Sequence, residues 1–498
     1  MRYSKWISWV ASSWALLAVN LIVGLIATPV LLKTLGTKQF GWWMSLGAYA
    51  MLLSLLEGGM GGAATRFLAA ESDPDLSSGI ATTVLLWTRR YALVAIAIAS
   101  GAALLGPSLF RRLQLPPEEI RVTLFVMGIS IAVGILASGP TGALQAYERW
   151  IARNAIQIGR QLFWLAGVGI AFWKHWNLSQ LVLFTLVLSC LHLGVTWGAA
   201  IRFWRPGRPA HLDHEIFRYA GIRAVTGILD QLAFSGPTLL AGGLLGSTAA
   251  AAVGVAERLG NLVRQGIFSV SQLYLPRASR LFAGRSIALK TNLTRGFLVL
   301  LLLTTPPMSV MLISQDRFLC LWIGPQLGPK VAALLPFILV PLWILLCQMT
   351  TIETFYGAGR PEYGLVLQVT AATIFLIAAP LLSIRIGTTG IVIGQAMGGL
   401  MTSLVLLPGF SRWRYAVPNM AWITGALPIL AFAGIPATTV TMLACRPARS
   451  MAVYICGATV AILSGYLVGW FGYLRSAVRQ WQAEGPSANQ HRSETPSS

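Results

Sequence analysis

An all-α protein that crosses a membrane many times is the fold class this sequence predicts, and three observations predict it. Of its 498 residues, 55% are hydrophobic and 11% are charged, whereas a soluble domain carries about 25% charged residues. The apolar residues come in long runs, such as Leu16 to Leu32 and Phe297 to Ile313, and a crossing takes roughly 20 of them. Eighteen Trp and twelve Tyr sit largely at the ends of the runs, where amphipathic rings favour the membrane interface.

The runs define about fourteen spans: 10–32, 40–63, 85–107, 121–144, 156–174, 178–201, 219–245, 249–275, 293–314, 331–357, 364–386, 388–409, 418–440 and 450–473. The first follows Arg2 and Lys5, is too long for a signal-peptide core, and leads straight into the second. It reads as an uncleaved helix. Arg89, Arg90 and Arg160 blur the limits of the third and fifth spans. The tail from Gln480 to Ser498 is polar and reads as disordered. Cys190, Cys347 and Cys456 fall within spans and read as small packing residues. Cys320 and Cys445 fall near one side of the membrane, where a disulfide is conceivable but has no support from spacing.

The net charge of +21 raises the question of nucleic acid. Its distribution answers against it. With the N-terminus in the cytoplasm, the cytoplasmic connections and tails hold 24 of the 37 Lys and Arg, the opposite ones hold 11, and Arg258 and Arg264 fall within a span. Retention of positive charge on one side is the orientation signal of membrane proteins. The basic balance therefore reads as topology, with both termini cytoplasmic, and as contact with anionic lipids. No nucleic-acid partner is expected.

The chain also repeats itself. Leu35-Gly36 closes the first span and Leu245-Gly246 the seventh, an offset of 210. Arg66 follows the second span as Arg277 follows the eighth, and Arg149 follows the fourth as Arg360 follows the tenth, both at 211. Six spans separate equivalents, so the halves share an orientation, as in transporters built from parallel repeats with a substrate site between them. This gives a six-helix bundle over 1–205, a second over 206–410, two additional helices over 411–474, and a cytoplasmic tail over 475–498.

The first hairpin carries Thr28-Pro29-Val30-Leu31-Leu32, Leu35-Gly36 and Phe40-Gly41, followed by Glu57-Gly58-Gly59-Met60-Gly61 and Arg66. It resembles that of the bacterial polysaccharide flippases, which usually have Asp at the place of Glu57. Asp230 to Gly246, Val253 to Leu259, and Gly357 to Arg360 resemble their seventh, eighth and tenth helices. The resemblance implies the fold of the multidrug/oligosaccharidyl-lipid/polysaccharide exporter superfamily: two six-helix repeats forming a V-shaped cavity, plus two C-terminal helices. It implies flipping of an undecaprenyl-pyrophosphate-linked oligosaccharide from the cytoplasmic to the periplasmic leaflet of the inner membrane. It also suggests a polysaccharide polymerase and a chain-length regulator as partners.

Charges inside spans are costly and usually face an interior or a wet cavity. At 100° per residue, Glu257, Asn261 and Arg264 share one face of the eighth span, with Arg258, Gln265 and Gln272 beside them. The seventh span holds Asp230 at a depth of about 16 Å, near that of Arg264 at about 18 Å. Two readings stand: a structural ion pair, or a site where Arg264 meets substrate phosphate and Asp230 holds it until then. Arg66, Arg89 and Arg90 either attract pyrophosphate at the cytoplasmic mouth or anchor helix ends. Glu57 and Glu353 are candidate ion-coupling or structural acids.

Nothing points to catalysis. There is no GxxxxGK[ST] loop for nucleotide phosphate, and no GxSxG or HExxH pattern. His211-Leu212-Asp213-His214-Glu215 holds ligand types, but it lies in a short loop beside Arg205 and Arg208, and no metal or cofactor is expected. The expectation is therefore alternating access without ATP hydrolysis. The rival readings are a multidrug/cation antiporter or lipid II flippase of the same superfamily, and a membrane-embedded glycan polymerase or ligase.

Overall fold

The computed structural model describes residues 3–57, 59–70, 73–111, 115–202, 207, 213–271, 287–357, 361–410 and 426–484. The described residues form helices joined by short connections, with no strand among them. In order these are α1 (Tyr3–Ser54), a single 3₁₀ turn (Leu55–Glu57), α2 (Met60–Ala70), α3 (Pro74–Leu109), α4 (Pro117–Leu136), α5 (Ser138–Ala146), α6 (Trp150–Trp173), α7 (Leu178–Ala200), α8 (Asp213–Leu245) and α9 (Ser247–Ser271). They continue with α10 (Ile287–Ile323), α11 (Gly328–Cys347), α12 (Met349–Gly357), α13 (Pro361–Ile386), α14 (Thr388–Phe410), α15 (Ala426–Cys445) and α16 (Met451–Glu484).

Local chemistry sets several boundaries. Asp73 caps α3 by accepting from the Asp75 N–H, with Pro74 in the first turn. Asn177 and Gln180 form a reciprocal capping box at the start of α7. α1 turns at Gly36 (φ 69°), and Gly246 (φ 97°) separates α8 from α9. Both angles lie in the left-handed region, which suits a residue without Cβ.

Among the described residues, twelve helices are long and apolar enough to cross a membrane, against the fourteen spans expected from sequence. The difference has two sources. Ala15–Glu57 is continuous over 43 residues, or about 65 Å, roughly twice the hydrocarbon thickness, and so contains the first two expected spans on either side of Gly36. α9 has the length, at 25 residues, but its polar stripe keeps it below the apolarity of the others.

The repeat reappears in the element boundaries. An offset of 211 carries the start of α4, Pro117, to that of α11, Gly328, and their ends, Leu136, to Cys347. It carries the short helix α5, Ser138–Ala146, onto α12, Met349–Gly357, and the start of α6, Trp150, onto that of α13, Pro361. A helix broken into 20 and 9 residues thus occurs twice at one spacing.

The chain packs as two compact units, residues 1–262 with 374–395 and residues 263–373 with 396–498. In the first, α1 lies against α6, α3 against α4, α4 against α7, and α2 against α5. The Trp42 indole donates to Thr123 Oγ1 at 2.9 Å, tying α1 to α4 inside the core. In the second, α10 packs on α11 and α16. Trp343 donates to Thr304 Oγ1 at 3.0 Å, and Tyr466 donates to the Leu303 carbonyl at 2.8 Å. Large apolar side chains stand outward, among them Leu93 and Leu104 on α3 and Ile377 and Ile384 on α13. Such faces suit hydrocarbon rather than water. All five cysteines are free thiols, so Cys320 and Cys445 are not joined.

Candidate functional site

The first unit lines an open cavity of about 870 Å³. Its most concentrated polar contribution comes from α6. Arg153, Gln157, Arg160, Gln161 and Trp164 all line it, and at 100° per residue they fall within a sector of about 100°. α9 adds Glu257, Arg258 and Asn261, α7 adds Ser189 and His192, and Glu57 enters from the turn before α2.

Two of the three cations, Arg153 and Arg258, have neighbours that position them. The Arg153 guanidinium donates to Asn154 Oδ1 at 3.0 Å, and Asn154 in turn donates to Ser12 Oγ on α1 at 2.9 Å. Arg153 Nε is buried without a hydrogen-bond partner, so the group keeps unused donor capacity. Arg258 runs beside Gly24 of α1; a methyl carbon built on that glycine would meet the guanidinium at 3.6 Å. Among the described residues, no carboxylate lies within ion-pair distance of Arg153, Arg160 or Arg258. Arg121–Glu118, at 2.8 Å, is instead an exposed pair at the start of α4.

The Glu57 carboxylate has a local task. Its Oε1 accepts the Gly61 N–H at 3.0 Å, placing negative charge at the N-terminal end of α2, where the helix dipole favours it. α2 and α5 approach so closely here that a Cβ on Gly142 would collide with the Gly61 carbonyl. Three arginines against Glu57 and Glu257 leave the cavity net cationic. Guanidinium groups suit bidentate contacts to phosphate.

Of the residues singled out from sequence, Arg258, Asn261, Glu257 and Glu57 come together on this cavity. Arg264 is partly buried further along α9 and does not line it, and Gln265 is exposed. Arg89 and Arg90 are exposed on α3, with the Arg90 guanidinium 4.7 Å over the Trp87 ring. Gln272, the side chains of Arg66, Asp230 and Glu353, and those of His211 to Glu215 lie outside the described residues. The sequence reading missed Arg153, Gln157 and Gln161, and treated Arg160 as a disturbance at the end of a span. A helical wheel of the fifth span, like that drawn for the eighth, finds Gln157, Arg160 and Gln161, whereas Arg153 lies outside the expected limits of that span, 156–174.

Comparison with solved structures places the fold. The lipid II flippase MurJ in an inward closed conformation superposes with a TM-score of 0.71 at 11% identity, covering 96% of this chain and 99% of that one. An inward-facing multidrug resistance MATE family transporter of the MOP superfamily gives 0.63 at 16% identity, covering 80% and 94%. A MOP superfamily transporter from Pyrococcus furiosus, described as having a binding pocket of reverse polarity, gives 0.57 at 15% identity, covering 82% and 95%. No family profile matches the sequence, and no curated protein does. The chain is thus a multi-pass membrane protein with the fold that these flippases and transporters share.

Proposed function

We propose that this chain flips undecaprenyl-pyrophosphate-linked oligosaccharide units from the cytoplasmic to the periplasmic leaflet of a bacterial inner membrane, for assembly of a surface or exported polysaccharide. The observation that carries this is the cavity with three arginines and no carboxylate paired to them among the described residues. A pyrophosphate headgroup supplies the missing negative charge, and Arg153, Arg160, Arg258 and Asn261 are the residues we assign to it. The lipid tail stays in the bilayer. Alternating access of the two repeats, 1–205 and 206–410, then exposes the headgroup on the far side.

A second reading, lipid II as substrate, draws on the likeness to MurJ and uses the same anchor chemistry. A multidrug/cation antiporter is disfavoured, because the cavity arginines outnumber its two acids.

Deletion of the gene tests the assignment. The lipid-linked oligosaccharide should still be made, remain intact on the cytoplasmic leaflet, and accumulate, while surface polymer is lost. Accumulation of lipid II with lysis would favour the second reading. Failure to synthesise the lipid-linked unit at all would overturn the transporter reading.

A further inference from the structure

The cavity has an aromatic wall that the arginines do not explain. Trp43 of α1 and Trp164 of α6 both line it and stack on each other, with ring centroids 5.5 Å apart and an interplanar angle of 12°. The ladder continues away from Trp43: Trp164 stacks on Phe184 at 6.1 Å, and Phe184 meets Trp176 at 5.8 Å. Gly167, facing Phe184, has no side chain and leaves room for its ring. Trp164 is thus fixed between two rings. Trp43 ends the ladder, and its other face carries no further ring contact among the described residues.

The polar and aromatic groups are ordered along one stripe. From Arg153 to Trp164 is eleven residues of α6, or about 16 Å along the helix axis. Along that stripe the order is Arg153, Gln157, Arg160, Gln161 and Trp164, so cations and amides alternate and the ring closes the series. A stripe of cations and amides that ends in an indole suits a molecule that joins an anionic group to a polyol. The C–H edges of a pyranose are electropositive and pack on the electron-rich face of an indole. Amide side chains beside the ring meet the hydroxyls in both donor and acceptor roles.

We propose that Trp43, held face to face on Trp164, is a sugar platform which selects glycan-bearing lipid pyrophosphates over the bare carrier. Gln161, which lies between Arg160 and Trp164 on the helix, orients the sugar ring nearest that platform. This rests on the lipid-pyrophosphate reading above and adds to it a basis for discriminating loaded from unloaded carrier. A flippase needs that discrimination, because the unloaded carrier shares the same anionic anchor.

The test uses the full-length chain in nanodiscs and two probes. One is undecaprenyl pyrophosphate; the other is the same lipid bearing a β-linked N-acetylhexosamine disaccharide. The wild type should bind the disaccharide lipid about five- to tenfold more tightly, the effect expected of a stacking contact of this kind. Trp164→Leu and Trp43→Leu should abolish that ratio without changing affinity for the bare lipid, and Trp43→Phe should retain most of it. Arg258→Ala should weaken both probes together. Equal wild-type affinities for the two lipids would overturn the platform, whatever the folding of the leucine variants. So would leucine variants that weaken both probes equally, since that is the signature of a merely structural stack. If the wild type binds neither probe, the lipid-pyrophosphate reading itself fails, and the platform with it.

Discussion

Arg258 lies over a glycine, and that small fact separates binding from folding. Gly24 on α1 leaves ordinary van der Waals space, 3.6 to 3.8 Å, between a methyl carbon and the Arg258 and Leu262 side chains. Gly24→Ala should therefore keep both abundance and transport near wild type. Gly24→Leu should push the guanidinium aside and reduce transport while the protein remains in the membrane. Arg258→Lys keeps the charge but loses the planar fork. A charged hydrogen bond is worth about 1.5–3 kcal/mol, and about 1.4 kcal/mol is tenfold, so transport should fall at least tenfold at unchanged abundance. Transport of labelled lipid-linked oligosaccharide into inverted vesicles, normalised to protein per vesicle, measures both. Wild-type transport in Arg258→Lys would mean that no bidentate contact is made there.

At the scale of elements, the bends do what apolar runs cannot. Gly36 has φ of 69° and open space where a Cβ would be, so Gly36→Ala meets backbone strain alone. An L-residue in the left-handed region costs about 1–2 kcal/mol. Gly36→Ala should lower the apparent melting temperature in detergent by a few degrees, and Gly246→Ala (φ 97°) should do so at least as strongly. No change in either would mean that the bends are not held in that conformation. Leu35-Gly36 and Leu245-Gly246 were legible as a repeated signal because glycine at a turn is a matter of local conformation. The breaks at Ala137 and Gln348 were not, because neither residue interrupts a helix by its own chemistry; only the recurrence of 20- and 9-residue helices reveals them. The stripe on α9 was legible because Glu257, Arg258 and Asn261 interrupt an apolar helix together. The stripe on α6 was hidden because the expected span began at 156, six residues after the helix does, which left Arg153 in the loop and Arg160 near one end of the span. The aromatic ladder was out of reach, since Trp43, Trp164 and Phe184 are far apart in the chain and only packing brings them into contact.

For the molecule as a whole, the location of the tail depends on how α1 and α9 are counted. Twelve helices among the described residues satisfy length and apolarity. If the 43-residue first helix crosses twice and α9 crosses once, the total is fourteen crossings. Changing only one of these two assignments gives thirteen and puts the tail on the opposite side from the N-terminus. Moving Arg153 and Arg160 from a loop into α6 lowers the cytoplasmic count of Lys and Arg from 24 to 22, still twice the 11 opposite, so the orientation argument survives. Single cysteines in a background lacking the five native thiols decide the matter. Lys38 and Thr248 are exposed beside the bends at Gly36 and Gly246. Lys38→Cys and Thr248→Cys should react with an impermeant maleimide in intact spheroplasts. Gln490→Cys should react only after permeabilisation. Labelling of Gln490→Cys in intact spheroplasts would overturn the even count. Labelling of Thr248→Cys alongside that result would identify α9 as the helix that does not cross, because Thr248 stands at its start, whereas protection of Thr248→Cys would identify α1 as the helix that crosses once.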